Sequence, residues 1–257
     1  MPEPASYDVL GEEVAAALDR VTQAHIDGNS RDQSFFHPST IGYCPRKTVM
    51  ERLGVPGEAI SVRTQRIFEN GHYVHARILK DLKEAGILVL DEVPVDMIDA
   101  NCHGHTDGIG KVVFAQKGGV MIILEIKSAG AKSYHWMAGG KLPGDKVKTY
   151  SRHGPDPKHV EQVQLYMYMT GIQYAVILVE CKDCQERAMF TVKLDRELVA
   201  TKLLPKIALV NAHVDAKTLP PRDRKAYPKT GFDCTWCPYK EPCAAQEASG
   251  VVVLPAA

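Results

Sequence analysis

The sequence predicts an α/β protein with a central mixed sheet flanked by helices. Two observations carry this. Apolar residues recur at helical spacing in the segments 8–26, 40–53 and 62–85, the period changes to strand-like segments over 87–128, and helical and strand-like segments alternate again before the end. The run Val120-Met-Ile-Ile-Leu124 is apolar throughout, as a strand buried on both faces requires.

The elements follow in order. Residues 8–26 read as an amphipathic helix with Val9, Ala16 and Val21 on one side, and the polar run 29–37 is turn-like. Ser39 is placed to cap a second helix over 40–53, which Gly54 ends. A third helix spans about 62–85, with a buried stripe of Ile67, Gly71, Val74, Ile78 and Leu82, and Gly86 stops it. Strands are predicted over 87–98, 105–115 and 120–128, with turns at 99–101 and 116–119. A short helix over 131–138 leads into the basic stretch 139–157, whose glycines and prolines read as a mobile loop. A helix over 158–170, ended by Gly171, precedes a strand pair at 172–180 and 187–194 and a helix over 195–212. The tail from Leu219 is rich in proline and cysteine, and a metal is the obvious means of ordering it. Three regions result: a helical region 1–60, a core 61–215 and a tail 216–257.

Composition narrows the function. Hydrophobic residues at 45% and charged residues at 24% exclude a disordered chain. No apolar run is long enough to span a bilayer, and the N-terminus has neither the basic start nor the apolar stretch of a signal peptide, so the expectation is a cytoplasmic protein without a membrane partner. The 31 basic and 31 acidic residues balance, which argues against a non-specific nucleic-acid coat. Any nucleic acid must be met by local patches. One is 139–158, with Lys141, Lys146, Lys148, Arg152 and Lys158 against two acids; another is 216–231, with five basic residues against Asp223. Either is also readable as a solvated loop.

The central chemical signal is Gly104-His-Thr-Asp107-Gly, followed by Leu124-Glu125-Ile126-Lys127-Ser128. On a strand, Glu125 and Lys127 share a face and Ile126 points the other way. Charges ending a buried strand need a task. Asp107, one strand earlier, can stand beside Glu125, and two adjacent carboxylates repel unless a cation sits between them. Hard oxygen ligands suit Mg²⁺ or Mn²⁺. A neighbouring lysine can orient water or neutralise a phosphate. These are the parts of phosphodiester hydrolysis, although an Asp with a Glu-x-Lys also arises as an ordinary surface strand. His75 shares a helix face with Gly71, Ile78 and Leu79 and so points inward. Gln162 and Tyr166 lie four apart on one helix face, and Gln164 and Tyr168 repeat the spacing on another.

Seven cysteines in a reducing compartment argue against disulfides, and the tight group Cys234, Cys237 and Cys243 points to metal ligation. Cys44, in Tyr43-Cys44-Pro45-Arg46, is the candidate fourth ligand. Four thiolates suit either a four-iron cluster or a structural zinc. Cys181-Lys-Asp-Cys184 falls between two predicted strands and reads as a hairpin turn with no partner ligands nearby, and Cys102 reads as structural.

The order Cys44-Pro45-Arg46, Gly71…His75, Gly104…Asp107, Glu125-Ile126-Lys127, Gln162…Tyr166 and Cys234…Cys237…Cys243 resembles the PD-(D/E)XK nucleases. Within them it resembles the RecB-like exonucleases of the CRISPR-associated and phage-encoded branch with a C-terminal iron–sulfur cluster. The resemblance covers residues 39–243, and the 162–171 helix also looks like that of phage recombination exonucleases. It implies a restriction-endonuclease-like core over 61–215. His75, Asp107, Glu125 and the Ile126 carbonyl would bind Mg²⁺ or Mn²⁺, Lys127 would be the catalytic lysine, and Gln162 with Tyr166 would support the site. Cys44, Cys234, Cys237 and Cys243 would hold a four-iron four-sulfur cluster in preference to zinc, joining the helical N-terminal region to the tail. Lys146, Lys148 and Arg152 are expected to contact the DNA backbone. The implied activity is that of a DNA exonuclease acting at a free end, in recombination, repair or CRISPR spacer processing, alone or with a protein partner. The competing readings are a non-catalytic DNA-binding or scaffolding subunit and a zinc-stabilised enzyme of other chemistry.

Overall fold

The computed structural model describes residues 7–28, 31–115, 118–141 and 149–249. The chain enters through α1 (Tyr7–Gly28), α2 (Pro45–Arg52) and α3 (Val62–Glu84). β1 (Leu88–Met97), β2 (Cys102–Phe114) and β3 (Gly118–Ala129) then form an antiparallel meander. After α4 (Ala131–Ala138) comes a two-residue ladder, β4 (Gly140–Lys141) with β5 (Thr149–Tyr150). α5 (Pro157–Thr170) returns the chain so that β6 (Tyr174–Cys181) runs parallel to β3, and β7 (Arg187–Lys193) closes the sheet antiparallel to β6. The order is β1-β2-β3-β6-β7, a mixed sheet with β3 at its centre, as the apolar run in β3 predicts. α6 (Arg196–Leu198) and α7 (Leu204–Asp215) follow, then α8 (Phe232–Thr235) and α9 (Lys240–Ser249) in the tail.

The sheet is covered on both faces. On one, Val74 and Ile78 of α3 pack on Ile126 and Leu178. On the other, Ile123, Ile177 and Val179 meet Val163 and Met167 of α5 and Ile207 and Val210 of α7 in the larger core. Glu125 alternates with Ile126, so it faces the α5 side.

Several expectations are corrected. The second helix begins at Pro45, not near Thr40, and Ser39 does not cap it. Pro45 has no N–H to give and favours the first helical turn, so Cys44 becomes the cap residue. Before it, Pro38–Thr40 form a 3₁₀ turn, and Gly42 passes so close to α5 that a Cβ there would lie 2.5 Å from the Lys158 side chain. The apolar stripe of α1 is not buried. Val21 is 55% exposed, and α1 is tied to α3 by His25–Glu69 at 2.7 Å and by Arg66–Asp19. Ile67 likewise faces outward, while the rest of the α3 stripe is placed as expected. The two ends of the basic stretch pair as β4 and β5 and are not a loop throughout; residues 142–148 lie outside the described residues. The last core helix runs to Asp215, with a π turn at Val199–Leu203 just before Pro205, whose missing N–H interrupts the α-helical ladder. The tail holds two short helices of its own.

Candidate active site and cysteine cavity

The β2–β3 ladder is regular from Phe114–Gly118 to Gly108–Leu124 and ends there. At the next position the Asp107 side chain takes over: its Oδ2 accepts the Ile126 N–H at 2.6 Å. The strands fork here, and the fork collects the charges. His75 Nε2, from α3, stands 3.3 Å from Asp107 Oδ1. Glu125 is fully buried, with Lys127 Nζ 2.5 Å from its Oε1. Neither Glu125 oxygen has a hydrogen bond of good geometry, nor does His75 Nε2. His75, Asp107 and Glu125 are neighbours, but they do not offer one ligand atom each within 4.8 Å of one another: Glu125 is drawn to Lys127, and Asp107 to the Ile126 amide.

The electrostatics reflect this crowding. Burial, then the Asp107 charge, pushes the Glu125 carboxyl up to about 7, with Lys127 and His75 pulling it back. Burial works against the Lys127 ammonium, but Glu125 and Asp107 outweigh it and hold the pKa above its ordinary value. The contact with Asp107 raises His75 against the effect of burial.

α5 supplies the opposite wall. Gln162 and Tyr166 are buried, and Gln162 Nε2 donates to the Tyr166 hydroxyl at 3.3 Å. Burial and the nearby Glu125 raise the Tyr166 phenol, so it stays protonated. Gln164 is occupied elsewhere, donating to Lys193 O and accepting from Asp195 N, both at 2.8 Å. Sequence reasoning missed His159, one turn before Gln162 on α5, where burial and the Lys127 charge push the imidazole down to about 4. A histidine three residues before the chosen glutamine was the available signal. Lys127, His159 and Gln162 line a cleft of about 730 Å³ that runs past Arg31 and Lys158 to Cys44 and Cys237.

Cys44, Cys234, Cys237 and Cys243 all line one cavity of about 270 Å³, walled also by Arg46, Lys47, Arg222 and Lys240. Burial raises the Cys44 and Cys237 thiols, so a metal must displace their protons. Arg222 Nη2 lies 3.4 Å from Cys234 Sγ. Among the described residues, no three of these sulfurs come within 4.8 Å of one another. A tetrahedral zinc would need them roughly 3.8 Å apart, from its Zn–S bond of about 2.3 Å. Cys44 and Cys237 line both this cavity and the cleft. Cys102 and Cys181 are buried in the main core, and Cys184 sits in the β6–β7 turn beside Cys181. Of the expected DNA contacts, Lys146 and Lys148 lie outside the described residues. Arg152 is exposed, with its guanidinium 5.1 Å from the Phe190 ring centre.

No family model and no curated protein matches the chain. Among solved structures the chain is similar to LHK-Exo in complex with dAMP, at 18% identity and a TM-score of 0.50 over 72% of this chain and 90% of that one. LHK-Exo, an alkaline exonuclease from Laribacter hongkongensis, matches again in a second structure at 16% identity and a TM-score of 0.49, over 72% and 90%. SSO0001 matches at 14% identity and a TM-score of 0.47, over 88% and 94%. At these identities the likeness shows a shared fold: a mixed five-stranded sheet flanked by helices.

Proposed function

We propose that this chain is a divalent-metal-dependent deoxyribonuclease, an exonuclease acting on DNA with a free end, in recombination, repair or CRISPR spacer processing. The observation that carries the reading is the fork between β2 and β3, which gathers Asp107, the fully buried Glu125, Lys127 and His75 at one end of the central strand. Two carboxylates, Glu125 and Asp107, share this site with one ammonium, Lys127, so a further cation would relieve the repulsion between them. The donors fit one: carboxylate oxygens, an imidazole and the Ile126 carbonyl suit Mg²⁺ or Mn²⁺. Such an ion supplies Lewis acidity toward a phosphate oxygen and a water that is nucleophilic at neutral pH.

The chain's own groups do the rest. Lys127 keeps its proton, so its ammonium can hold the attacking water or balance charge on the scissile phosphate. Gln162, fixed by Tyr166, presents an amide to the cleft. Arg31, Lys47 and Lys158 line the same cleft and suit a phosphodiester backbone, although Lys158 is already paired with Asp233. LHK-Exo, which shares the fold, was solved with a nucleotide, which is consistent with this reading.

The four-cysteine cavity is read as the seat of a four-iron cluster. Its basic wall suits the negative charge of four thiolates, the donor set of such a cluster.

The test is cleavage of linear and circular DNA, with Mg²⁺ or Mn²⁺ added and with chelator. Wild type should degrade linear DNA only with metal, and Glu125→Gln and Lys127→Ala should lose at least a hundredfold in rate. Wild-type rates in either variant overturn the assignment, and a metal-independent inert wild type would leave the scaffolding role.

A further inference from the structure

A second set of ligand-bearing side chains meets at the other end of α4. A ring nitrogen of His135, Cys184 Sγ and a Glu186 carboxylate oxygen lie within 4.8 Å of one another. From sequence alone Cys184 belongs to a plain turn without partners. The fold supplies the partner from α4, 49 residues upstream.

The histidine is the informative member. His135 is 2% exposed, and its Nδ1 lies 3.1 Å from the Gly139 carbonyl. A carbonyl only accepts, so Nδ1 carries the proton and donates it. That leaves Nε2 as a bare lone pair, buried and without a hydrogen-bond partner. An imidazole whose other nitrogen is pinned to a backbone carbonyl is the arrangement by which proteins orient a metal-binding histidine. With Nδ1 spent on the Gly139 carbonyl, Nε2 is the nitrogen free to join the Cys184 thiol and the Glu186 carboxylate as a ligand. One nitrogen, one sulfur and one oxygen form a donor set of borderline softness that suits Zn²⁺. A thiolate and a carboxylate also balance its two charges.

We infer that His135, Cys184 and Glu186 bind a zinc ion. The fourth position falls to water or to the adjacent Cys181 thiol, whose Sγ accepts the Cys184 N–H at 3.3 Å. Glu186 is exposed and Cys184 half-buried, which gives the ion a path from solvent. Its role is mechanical. The turn already grips the start of α4: Asp183 Oδ2 accepts the Ala131 N–H at 2.6 Å, and Lys182 N donates to Ala129 O at 2.8 Å. A bond to His135 holds the helix one turn further on. α4 joins the Glu125–Lys127 strand to the basic stretch, so the ion fixes the angle at which that stretch leaves the candidate active site.

The test reads metal content and is independent of cleavage. Zinc and iron are measured per chain in protein purified without chelator or histidine tag, and chelator-treated protein is titrated with Co²⁺. Wild type should carry one zinc per chain, absent from His135→Ala and Cys184→Ser with iron unchanged. Cys44→Ala should keep the zinc. Co²⁺ should give a thiolate charge-transfer absorption in wild type and none in Cys184→Ser. Glu186 is exposed, so Glu186→Gln should fold normally and still bind at least tenfold more weakly, since altering even the outer partners of a metal ligand costs about 10–100-fold. Zinc retained at wild-type level in His135→Ala and Cys184→Ser, zinc lost only with Cys44, or a wild type that takes up neither ion would each overturn the site.

Discussion

Two buried residues beside the cleft, Glu125 and His159, have pKa values shifted in opposite senses. Burial and Asp107 raise Glu125 from 4.5 to about 7, while burial and Lys127 lower His159 from 6.5 to about 4. Between pH 4.5 and 7 folded Glu125 keeps a proton that the unfolded chain has released, so its contribution to stability falls as pH rises. Between pH 4 and 6.5 the unfolded chain protonates His159 and the folded one does not, so that contribution rises with pH and is lost as pH falls. Each swing is at most about 3 kcal/mol at about 1.36 kcal/mol per unit, and over the shared window they largely cancel. Measured against metal-free wild type by denaturant unfolding, Glu125→Gln should therefore gain stability as pH rises from 4.5 to 7. His159→Gln should lose stability, relative to wild type, from pH 4 to 6.5. Parallel curves in all three proteins would remove both assignments. Glu125 could be singled out from sequence because a charge at the end of an apolar strand conflicts with its surroundings. His159 could not, since its low pKa comes from burial and from a lysine 32 positions away, which only the fold brings near.

At the scale of elements, α5 resolves an ambiguity that helical spacing leaves open. Gln162 with Tyr166 and Gln164 with Tyr168 have the same spacing, and the period alone cannot say which face meets the strand ends. Gln164 spends both ends of its amide on the β7–α6 connection, whereas Gln162 lines the cleft. Gln164→Ala should cost about 1–3 kcal/mol of stability, the usual result of leaving buried backbone groups unpaired, and leave the cleavage rate of folded protein unchanged. Gln162→Ala should do the reverse. Equal effects of the two on rate would mean that α5 does not divide its faces this way. The basic stretch makes a second prediction. Replacing Lys146, Lys148 and Arg152 with alanine should weaken DNA binding and flatten its salt dependence by roughly 0.7–0.9 per lost phosphate contact. An unchanged slope returns the segment to a solvated surface. Strands and helices of the core were legible because each buries a face and so carries a period. The start of α2 was misplaced because Ser39 offers a local capping signal, while Pro45 and the close passage of Gly42 against Lys158 decide the outcome. The exposed stripe of α1 shows the converse: periodicity records an apolar face without saying what covers it.

Across the whole molecule, the proposed cluster joins two regions that already touch. Arg46, buried in α2, donates to Pro220 O at 2.7 Å and to Gln246, and Glu58 N donates to Pro238 O at 2.8 Å. These bonds, with the Tyr227 hydroxyl on Tyr43 O at 3.2 Å and the Lys158–Asp233 pair, position the tail. Cys44 and Cys234 are 190 residues apart, so a cluster holding both closes a very long loop of the unfolded chain. By the loop-entropy relation for crosslinks this is worth up to about 5 kcal/mol, and strain or residual structure in the unfolded chain lowers the figure. Alanine at Cys44, Cys234, Cys237 or Cys243 should each remove the brown colour and the iron, and lower the unfolding midpoint. Replacing both Cys181 and Cys184 should leave the iron in place. Because Cys44 and Cys237 also wall the cleft, activity should fall with cluster loss even at temperatures where the β-sheet core remains folded. Limited proteolysis under those conditions should cut the tail beyond Asp215 before the core. Zinc in place of iron in anaerobically prepared protein, disappearing in Cys44→Ala, would sink the iron assignment and keep the ligand set. Iron retained in Cys44→Ala would place the fourth ligand elsewhere. The tail would then be attached through the Arg46 and Glu58 bonds, the Tyr227 hydroxyl on Tyr43 O and the Lys158–Asp233 pair, and Arg46→Ala should loosen it further.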